Sequence, residues 1–180
     1  MVMADFDLRA AIQTKRLVIE PFHDDSIREN GIDFRLDDEI ARHKEFYKDF
    51  TLDPTDESHV NNTYEVTKKP GSMVIKPHEQ VLLSTVEYLE MPDDVVGFVE
   101  LRSSWARHGL SMPPTIVDAG FKGTITLEVV NNAPYAIRLL PGMRFAHIIF
   151  IKTNNRVGSA YSGTYNGQRG VRLPKVLEKK

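Results

Sequence analysis

The sequence contains no cysteine among its 180 residues. This absence excludes disulfide bonds, thiolate metal sites and cysteine nucleophiles. It also removes the most direct sequence evidence for an oxidising compartment, so we expect a cytoplasmic protein. A chain of this length can bury a core without covalent cross-links, and we expect one domain spanning residues 1–180.

Long apolar runs and an excess of positive charge are also missing. No apolar stretch approaches the roughly 20 residues that a membrane-spanning helix needs. The N-terminus shows no basic region followed by an apolar run, so the sequence predicts no signal peptide and no membrane partner. The net charge of −2 argues against broad binding to nucleic acid. An anionic ligand must therefore be held by a local cluster of positive groups.

The first 70 residues mix helical, extended and polar segments. Residues 4–15 carry acidic side chains early and a basic one late, which matches the helix dipole and predicts a short N-terminal helix. Residues 17–22 are typical of a strand that Pro21 stops. Residues 31–43 predict a second strand by their alternation. Residues 43–70 are highly polar, and we interpret them as a long surface excursion.

After Pro70-Gly71 the pattern becomes all-β. Short apolar or alternating runs are separated by frequent proline, glycine and asparagine turns. Strands punctuated this often are typical of a sandwich or closed barrel rather than of βαβ units. The composition therefore predicts a mainly β domain.

The C-terminal segment, residues 153–180, is rich in glycine and has little that could form a core. Composition alone favours a disordered tail. However, Tyr161, Tyr165, Arg169 and Arg172 are unusual in a simple spacer. A tail carrying aromatic and guanidinium groups could instead become ordered over a nucleotide, as a flexible lid.

The segment RSSWARHGL, residues 102–110, places several strong hydrogen-bond donors close together. Ser103 and Arg107 are four positions apart, so they share a side in either a strand or a helix, whereas Arg102 and Ser104 point elsewhere. Arg102 and Ser104 could bind an anion, because arginine donates two parallel hydrogen bonds to phosphate. Ser103 and Arg107 could bind a second polar group. The alternative is a turn whose serines cap a helix and whose arginines are solvated.

The segment GTITLEVVNN, residues 123–132, contains a carboxylate in the middle of an apolar strand. If the segment is extended, Leu127 shares a face with Ile125 and Val129, and Glu128 lies on the opposite face. Glu128 is then either on a wet face or desolvated. Desolvation would raise its pKa and suit it to proton transfer near neutral pH.

The segment IVDAGFKG, residues 116–123, predicts a tight turn around Gly120. The simpler interpretation of Asp118 is an Asx hydrogen bond within that turn. The functional interpretation is that Asp118 accepts a hydrogen bond from a sugar hydroxyl while Phe121 packs on the sugar.

The histidines form no recognisable metal set. His43 and Glu45 match half of the zinc deaminase signature, but the other half requires cysteines that the chain lacks. His43 is interpreted as a surface residue, and His108 and His147 as residues at a core edge or an interface. There is also no phosphate-binding P-loop and no dinucleotide fingerprint.

Several of these segments together, in this order, resemble the dCTP deaminase family of the dUTPase-like superfamily. The resemblance covers most of the chain and is weakest at residues 43–70. The matching segments are RENGIDFRL, GFVELRSSWARHGL, TIVDAGFKGTITLE, PGMRFAHIIF and YNGQRG. The combination of R-S-S-x-A-R with D-A-G-F-x-G-x-I-T-L-E is the specific part.

The resemblance implies that the R-S-S-x-A-R segment, which includes Trp105 and Ala106, lies against the nucleotide. Arg102 and Ser104 would bind the triphosphate. Ser103 would help to hold the attacking water, and Arg107 would lie beside the catalytic carboxylate and the base.

The resemblance also implies roles for residues later in the chain. Glu128 matches the catalytic glutamate, and Asp118 would bind the deoxyribose 3′-hydroxyl beside Phe121. The remaining positions would flank the cytosine or close over base and phosphates: Thr126, Leu127, Tyr161, Gln168 and Thr164, the last at a position where many members have a lysine.

The fold implied by the resemblance is a distorted β barrel or jelly roll, assembled as a homotrimer with active sites between subunits. The implied reaction is zinc-independent, hydrolytic deamination of dCTP to dUTP and ammonia, with Glu128 as the proton shuttle. Mg²⁺ is expected through the substrate triphosphate. Feedback inhibition by dTTP is a family trait.

Three alternatives stay open at this point. A bifunctional enzyme would also cleave the triphosphate and give dUMP and diphosphate. A plain dUTPase would carry a tyrosine in a D-Y-x-G motif, where this chain has DAGFKG followed by TLE. A trimeric β module could bind a nucleotide without catalysis.

Overall fold

The structure is a computed structural model that describes residues 1–45 and 49–178. Its helices in that range are α1 (Asp5–Gln13), α2 (Glu57–Asn62) and α3 (Ser103–Arg107), with one 3₁₀ turn at Asp24–Ser26. Among the described residues, no helix has the length and apolar character needed to cross a bilayer.

Strands form most of the regular structure. In chain order they are β1 (Val18–Glu20), β2 (Ile27–Arg28), β3 (Gly31–His43), β4 (Tyr64–Lys68), β5 (Met73–Ile75), β6 (Gln80–Thr85), β7 (Tyr88–Glu90), β8 (Val95–Leu101), β9 (Leu110–Ser111), β10 (Thr115–Val117), β11 (Lys122–Gly123), β12 (Thr126–Asn131), β13 (Ile137–Leu139) and β14 (Arg144–Lys152). The main sheet has the order β10-β8-β14-β3-β6-β12-β9, with β2 and β4 also paired to β3. Two small sheets, β1-β7-β11 and β13-β5, complete the fold.

Strand β3 connects the two halves of the main sheet. Its first half pairs with β14 and β2, and its second half pairs with β6 and β4. The register against β6 shifts between Leu36 and Ile40. Such an irregularity bends a strand and increases its local twist. The sheet therefore curls around its own apolar face instead of lying flat.

The core fills the inside of this curl. Its largest fully buried side chains include Phe34, Phe145 and Phe150, and each buried apolar side chain of this size contributes about 1.5–3 kcal/mol to folding. Side chains on β12 alternate between this core and the opposite face. The alternation leaves one face of β12 available for a site.

Most elements predicted from the sequence are confirmed. The N-terminal helix, the strand ending before Pro21 and the strand over residues 31–43 are all present. The mainly β class is also confirmed, with a single sheet curled over much of its length. The helix α3 lies between β8 and β9, within the arginine- and serine-bearing segment.

The interpretation of residues 43–70 as a surface excursion is confirmed in that most of the described residues there are exposed, but its second half contains regular structure that the sequence did not predict. Helix α2 and strand β4 lie there, and β4 pairs with β3 over five residues, from Glu39↔Lys68 to His43↔Tyr64. Strand β4 was not predicted because the segment is rich in polar residues. Residues 46–48 of this segment lie outside the described residues.

Candidate active site

A cavity of about 500 Å³ lies on the face of β12 that points away from the core. Strands β4, β6, β10 and β12, the turn after β10, and the C-terminal tail surround it. Its lining residues are Tyr64, Gln80, Leu82, Thr115, Ile116, Val117, Asp118, Phe121, Ile125, Thr126, Glu128, Tyr161, Tyr165, Gln168, Arg172 and Pro174. Six of the residues proposed from the sequence are among them.

Glu128 projects into this cavity from the middle of β12. It lies opposite Leu82 of β6, while its neighbours Leu127 and Val129 point into the core. Burial raises the pKa of Glu128, and a hydrogen bond involving its own backbone only partly offsets this. Glu128 is half-buried, so its environment favours the desolvated carboxylate among the two interpretations left open by the sequence. A glutamate in this state can exchange protons closer to neutral pH.

Tyr64 is a cavity residue that the sequence interpretation missed. It begins β4 and its ring lies 4.3 Å from the ring of His43, centroid to centroid. Burial, followed by the negative charge of Glu128, raises the pKa of the Tyr64 hydroxyl. The Tyr64 phenol and the Glu128 carboxylate therefore share one desolvated environment. A signal was available in the β-branched segment TYEVT, but the surrounding polar residues obscured it.

Asp118 and Phe121 enter the cavity from the turn that follows β10. The backbone N–H of Phe121 donates to the carbonyl of Asp118 at 3.1 Å, and Gly120 between them has a φ of +84°. The turn is thus closed by the backbone and requires the left-handed conformation that glycine tolerates. Asp118 is exposed, whereas Phe121 is buried with its ring centroid 5.7 Å from that of Tyr161. The Asp118 carboxylate can therefore meet a ligand.

The C-terminal tail is ordered across the cavity, as the second interpretation of its composition proposed. Tyr161 N–H donates to the carbonyl of Ala119 at 3.0 Å, and Thr124 N–H donates to the carbonyl of Gln168 at 3.0 Å. The side-chain amide of Gln168 donates to the carbonyl of Thr124 at 2.6 Å. Its Oε1 atom is buried and has no hydrogen-bond partner within the described part of the chain, so it can accept from a ligand.

Glu39 on β3 holds the tail beyond Gln168. Its Oε2 accepts from the backbone N–H of Val171 at 3.0 Å, and its Oε1 pairs with Lys68 at 2.8 Å. The next residue, Arg172, donates its backbone N–H to the Thr126 hydroxyl at 3.0 Å. Burial of Glu39 would raise its pKa, but Lys68 and the Val171 N–H outweigh burial and lower it. An ionised Glu39 therefore keeps the tail across the cavity.

Replacing Glu39 with alanine is expected to release the tail. The change removes the acceptor of the Val171 N–H and the partner of Lys68, and hydrogen bonds to charged groups contribute about 1.5–3 kcal/mol. Cleavage within the tail by trypsin should therefore become about tenfold faster or more. The control is Glu100→Ala, at an exposed glutamate on β8. Equal cleavage rates in Glu39→Ala and wild type would contradict this role.

The helix α3 presents the other group of proposed residues to solvent. Trp105 Nε1 donates to the carbonyl of Arg144 at 2.9 Å, which attaches the helix to β14. The outward-facing side chains are exposed and none lines the cavity of its own chain: Ser103, Ser104, Ala106 and Arg107. The serines lie inside the helix, whose N-cap is Arg102 and has no side-chain capping bond. The helix-capping alternative for the serines was therefore wrong.

Three further proposed residues lie away from the cavity lining. Arg102 is half-buried and lies 3.4 Å from Asp33, measured from Nε to Oδ1. Leu127 points into the core, so only its main chain is near the cavity face. Thr164 is exposed, and its hydroxyl accepts from Lys175 at 3.1 Å. A single chain thus brings Glu128, Asp118 and the tail together and leaves α3 apart from them.

Comparison with known proteins agrees with this geometry. A family model described as dCTP deaminase-like matches residues 2–153. A dCTP deaminase from Desulfurococcus amylolyticus is 45% identical over 177 residues, which cover 98% of this chain and 96% of that protein. One from Pyrobaculum aerophilum is 47% identical over 178 residues, which cover 99% and 98%.

Solved structures show the same fold. The 2′-deoxycytidine 5′-triphosphate deaminase from Agrobacterium tumefaciens matches with a TM-score of 0.65 and 21% identity, over 83% of this chain and 46% of that chain. A dUTPase mutant from phage 80alpha matches with a TM-score of 0.50 and 13% identity, over 82% and 96%. The dUTPase-like fold expected from the sequence is thereby confirmed. The chain belongs to the dCTP deaminase-like family.

Proposed function

We propose that this protein catalyses the hydrolytic deamination of dCTP to dUTP and ammonia. The observation that carries the proposal is the desolvated Glu128 carboxylate, which projects from β12 into a cavity bordered by Asp118 and the tail. Relatives named dCTP deaminase, at 45–47% identity over almost the whole chain, support the same activity. A cytoplasmic location, expected from the lack of cysteine, belongs to this proposal.

The proposed active form is a homotrimer in which α3 of one subunit completes the cavity of its neighbour. Arg107 is exposed and makes no ion pair within the described part of its own chain. Glu128 is desolvated, and its pKa reflects no neighbouring cation. A desolvated carboxylate and an unpaired guanidinium complement each other. In a cyclic assembly the same contact would form at every subunit boundary.

Within this site, Glu128 moves the protons of the reaction. It accepts a proton from water as the water oxygen bonds to C4 of cytosine, and it passes that proton to N3. It then transfers the second proton of that water to the amino group. The C4–N bond breaks, ammonia leaves and the C4 carbonyl forms, so that dCTP and water give dUTP and ammonia. Holding the water in place can lower the barrier by about 7–11 kcal/mol, and Ser103 is proposed to position it.

The other proposed residues bind and orient the nucleotide. Asp118 accepts a hydrogen bond from the deoxyribose 3′-hydroxyl, and Phe121 with Tyr161 covers the sugar and base. Thr126 borders the cytosine, and Gln168 closes the tail over the ligand. Closure of a segment of this kind excludes water from the reacting atoms.

Mg²⁺ is proposed to bind together with the substrate triphosphate. This ion is commonly held by phosphate oxygens and water, with few protein ligands. Over residues 1–45 and 49–178, no three His, Asp or Glu side chains come together as a metal site. The bound ion would neutralise phosphate charge. The proton steps are assigned to Glu128 without zinc, because the chain lacks the cysteines of the zinc deaminase site.

The direct test incubates the pure protein with dCTP and Mg²⁺ and measures ammonia, dUTP, dUMP and diphosphate. We expect ammonia and dUTP in equal amounts, with unchanged rates after EDTA treatment and resupply of Mg²⁺ alone. Equal amounts of dUMP and diphosphate would identify the bifunctional enzyme instead. Release of diphosphate from dUTP without ammonia from dCTP would identify a dUTPase. Binding of dCTP without turnover would identify a non-catalytic module.

A further inference from the structure

A buried aspartate outside the cavity joins two arginine side chains. Asp33 lies within β3 and is only 2% exposed. Its Oδ2 accepts from Arg28 Nε at 2.9 Å, and its Oδ1 lies 3.0 Å from His147 Nδ1 and 3.4 Å from Arg102 Nε. One carboxylate thus contacts three basic side chains that come from β2, β14 and the start of α3.

The single carboxylate of Asp33 faces two guanidinium groups. Glu29 and Asp25 also lie close enough to act on Arg28 through their charge, and Asp25 itself pairs with Arg144 at 2.5 Å. Burial on its own would raise the pKa of Asp33, but His147, Arg28 and Arg102 outweigh burial and lower it. Asp33 is therefore ionised and holds both arginines in place.

Both arginines keep terminal nitrogens that make no hydrogen bond to Asp33. Each has its Nε nearest to the carboxylate. The terminal nitrogens of Arg28 make no hydrogen bond to any other described residue. One terminal nitrogen of Arg102 makes a long contact of 3.5 Å to the carbonyl of Arg144. The Arg28 and Arg102 side chains are 39% and 32% exposed, so an anion can reach both.

We propose that Asp33 is a positioning residue that sets Arg28 and Arg102 side by side as a seat for the substrate triphosphate, with Arg28 as a second phosphate contact. The inference rests on the proposed function for the identity of its ligand. Two guanidinium groups fixed by one carboxylate present parallel donors to phosphate oxygens at reduced entropic cost. Arg102 is the N-cap of α3, so the seat lies beside Ser103 and Ser104, which the proposal places next to the nucleotide.

The test uses two variants and two matched controls. The variants are Arg28→Gln and Asp33→Asn. The controls are Arg16→Gln and Asp94→Asn, because Arg16 and Asp94 form a similar pair at 2.7 Å, with one exposed arginine and one buried aspartate, on another part of the protein. Binding of inorganic triphosphate is measured by calorimetry for each protein, and kcat and KM are measured for dCTP and for deoxycytidine.

We expect Arg28→Gln and Asp33→Asn each to weaken inorganic triphosphate binding by about tenfold or more, the usual effect of losing a hydrogen bond between charged groups. KM for dCTP should rise by a similar factor, with kcat and the kinetics of deoxycytidine nearly unchanged. Both controls should bind as wild type does. Arg28→Gln alters a partly exposed side chain, so it keeps the test valid if Asp33→Asn fails to fold.

Unchanged triphosphate binding in Arg28→Gln would overturn the proposal and leave the cluster as a structural ion pair. Equal losses for dCTP and deoxycytidine would overturn it as well, because the arginines would then act on the fold rather than on phosphate. The proposed function can fail separately. If the wild-type protein did not deaminate dCTP, but both variants lost triphosphate binding, the phosphate-binding role of the arginines would stand and the proposed deamination would be contradicted.

Discussion

The variant Glu128→Gln is expected to release ammonia from dCTP about 10²–10⁴-fold more slowly than wild type, because a positioned general acid–base contributes that much. An amide cannot accept the proton of the attacking water or return it to N3. Its shape matches that of the carboxylate, so binding of dCTP should change little. Ammonia release and calorimetric dCTP binding measure the two effects separately.

A matched control exists on β4, another strand that borders the cavity. Glu65 lies on β4, where it is exposed. Because side chains alternate along a strand, Glu65 points to the opposite side from Tyr64, the cavity residue before it. Glu65→Gln makes the same chemical change and should keep wild-type turnover. If Glu128→Gln also kept wild-type turnover, the proton-transfer role of Glu128 would be excluded.

The second large effect is the recovery of activity in mixed trimers. Glu128→Gln and Arg107→Gln should each be nearly inactive as pure proteins. When the two variants are co-expressed with different affinity tags, trimers that contain both should regain activity. A site at a subunit boundary can then combine Glu128 from one variant with Arg107 from the other. In a cyclic trimer that contains both variants, one of the three boundaries combines the two intact side chains, so about a third of the sites are complete.

The experiment purifies mixed trimers through both tags and compares their turnover per site with wild type. Co-expression of Glu128→Gln with a second, differently tagged copy of itself is the control and should remain inactive. If doubly tagged trimers stayed inactive, Glu128 and Arg107 would have to act within one subunit. That result would contradict the completion of the cavity by α3 of a neighbour.

Local sequence patterns were enough for several elements of this fold. The alternation around Glu128 follows from the period of two that any strand imposes on its side chains. The strand over residues 31–43 was predicted from the same pattern, although its first four residues are all buried. The N-terminal helix follows from the acidic residues of its first turn. These features depend on neighbours only a few residues away, so a single sequence contains the information for them.

Features that depend on distant contacts were not accessible in this way. Tyr64 reaches the cavity because β4 pairs with β3, and no periodicity in residues 43–70 specifies that partner. Gln168 bonds to Thr124, 44 positions away. The sequence left open whether Glu128 is desolvated, and the strands and tail packed around it favour the desolvated state.

The amino-acid order thus specified which chemical groups are present and which face of a strand each occupies, because both depend on short-range geometry. It also carried the segments that resemble a deaminase. Folding was needed to join Asp33 to Arg28 and Arg102, to lay the tail across the cavity, and to leave the side chains of α3 directed outward. Contacts between remote segments form only when the whole core packs, and the chemistry of the site depends on those contacts.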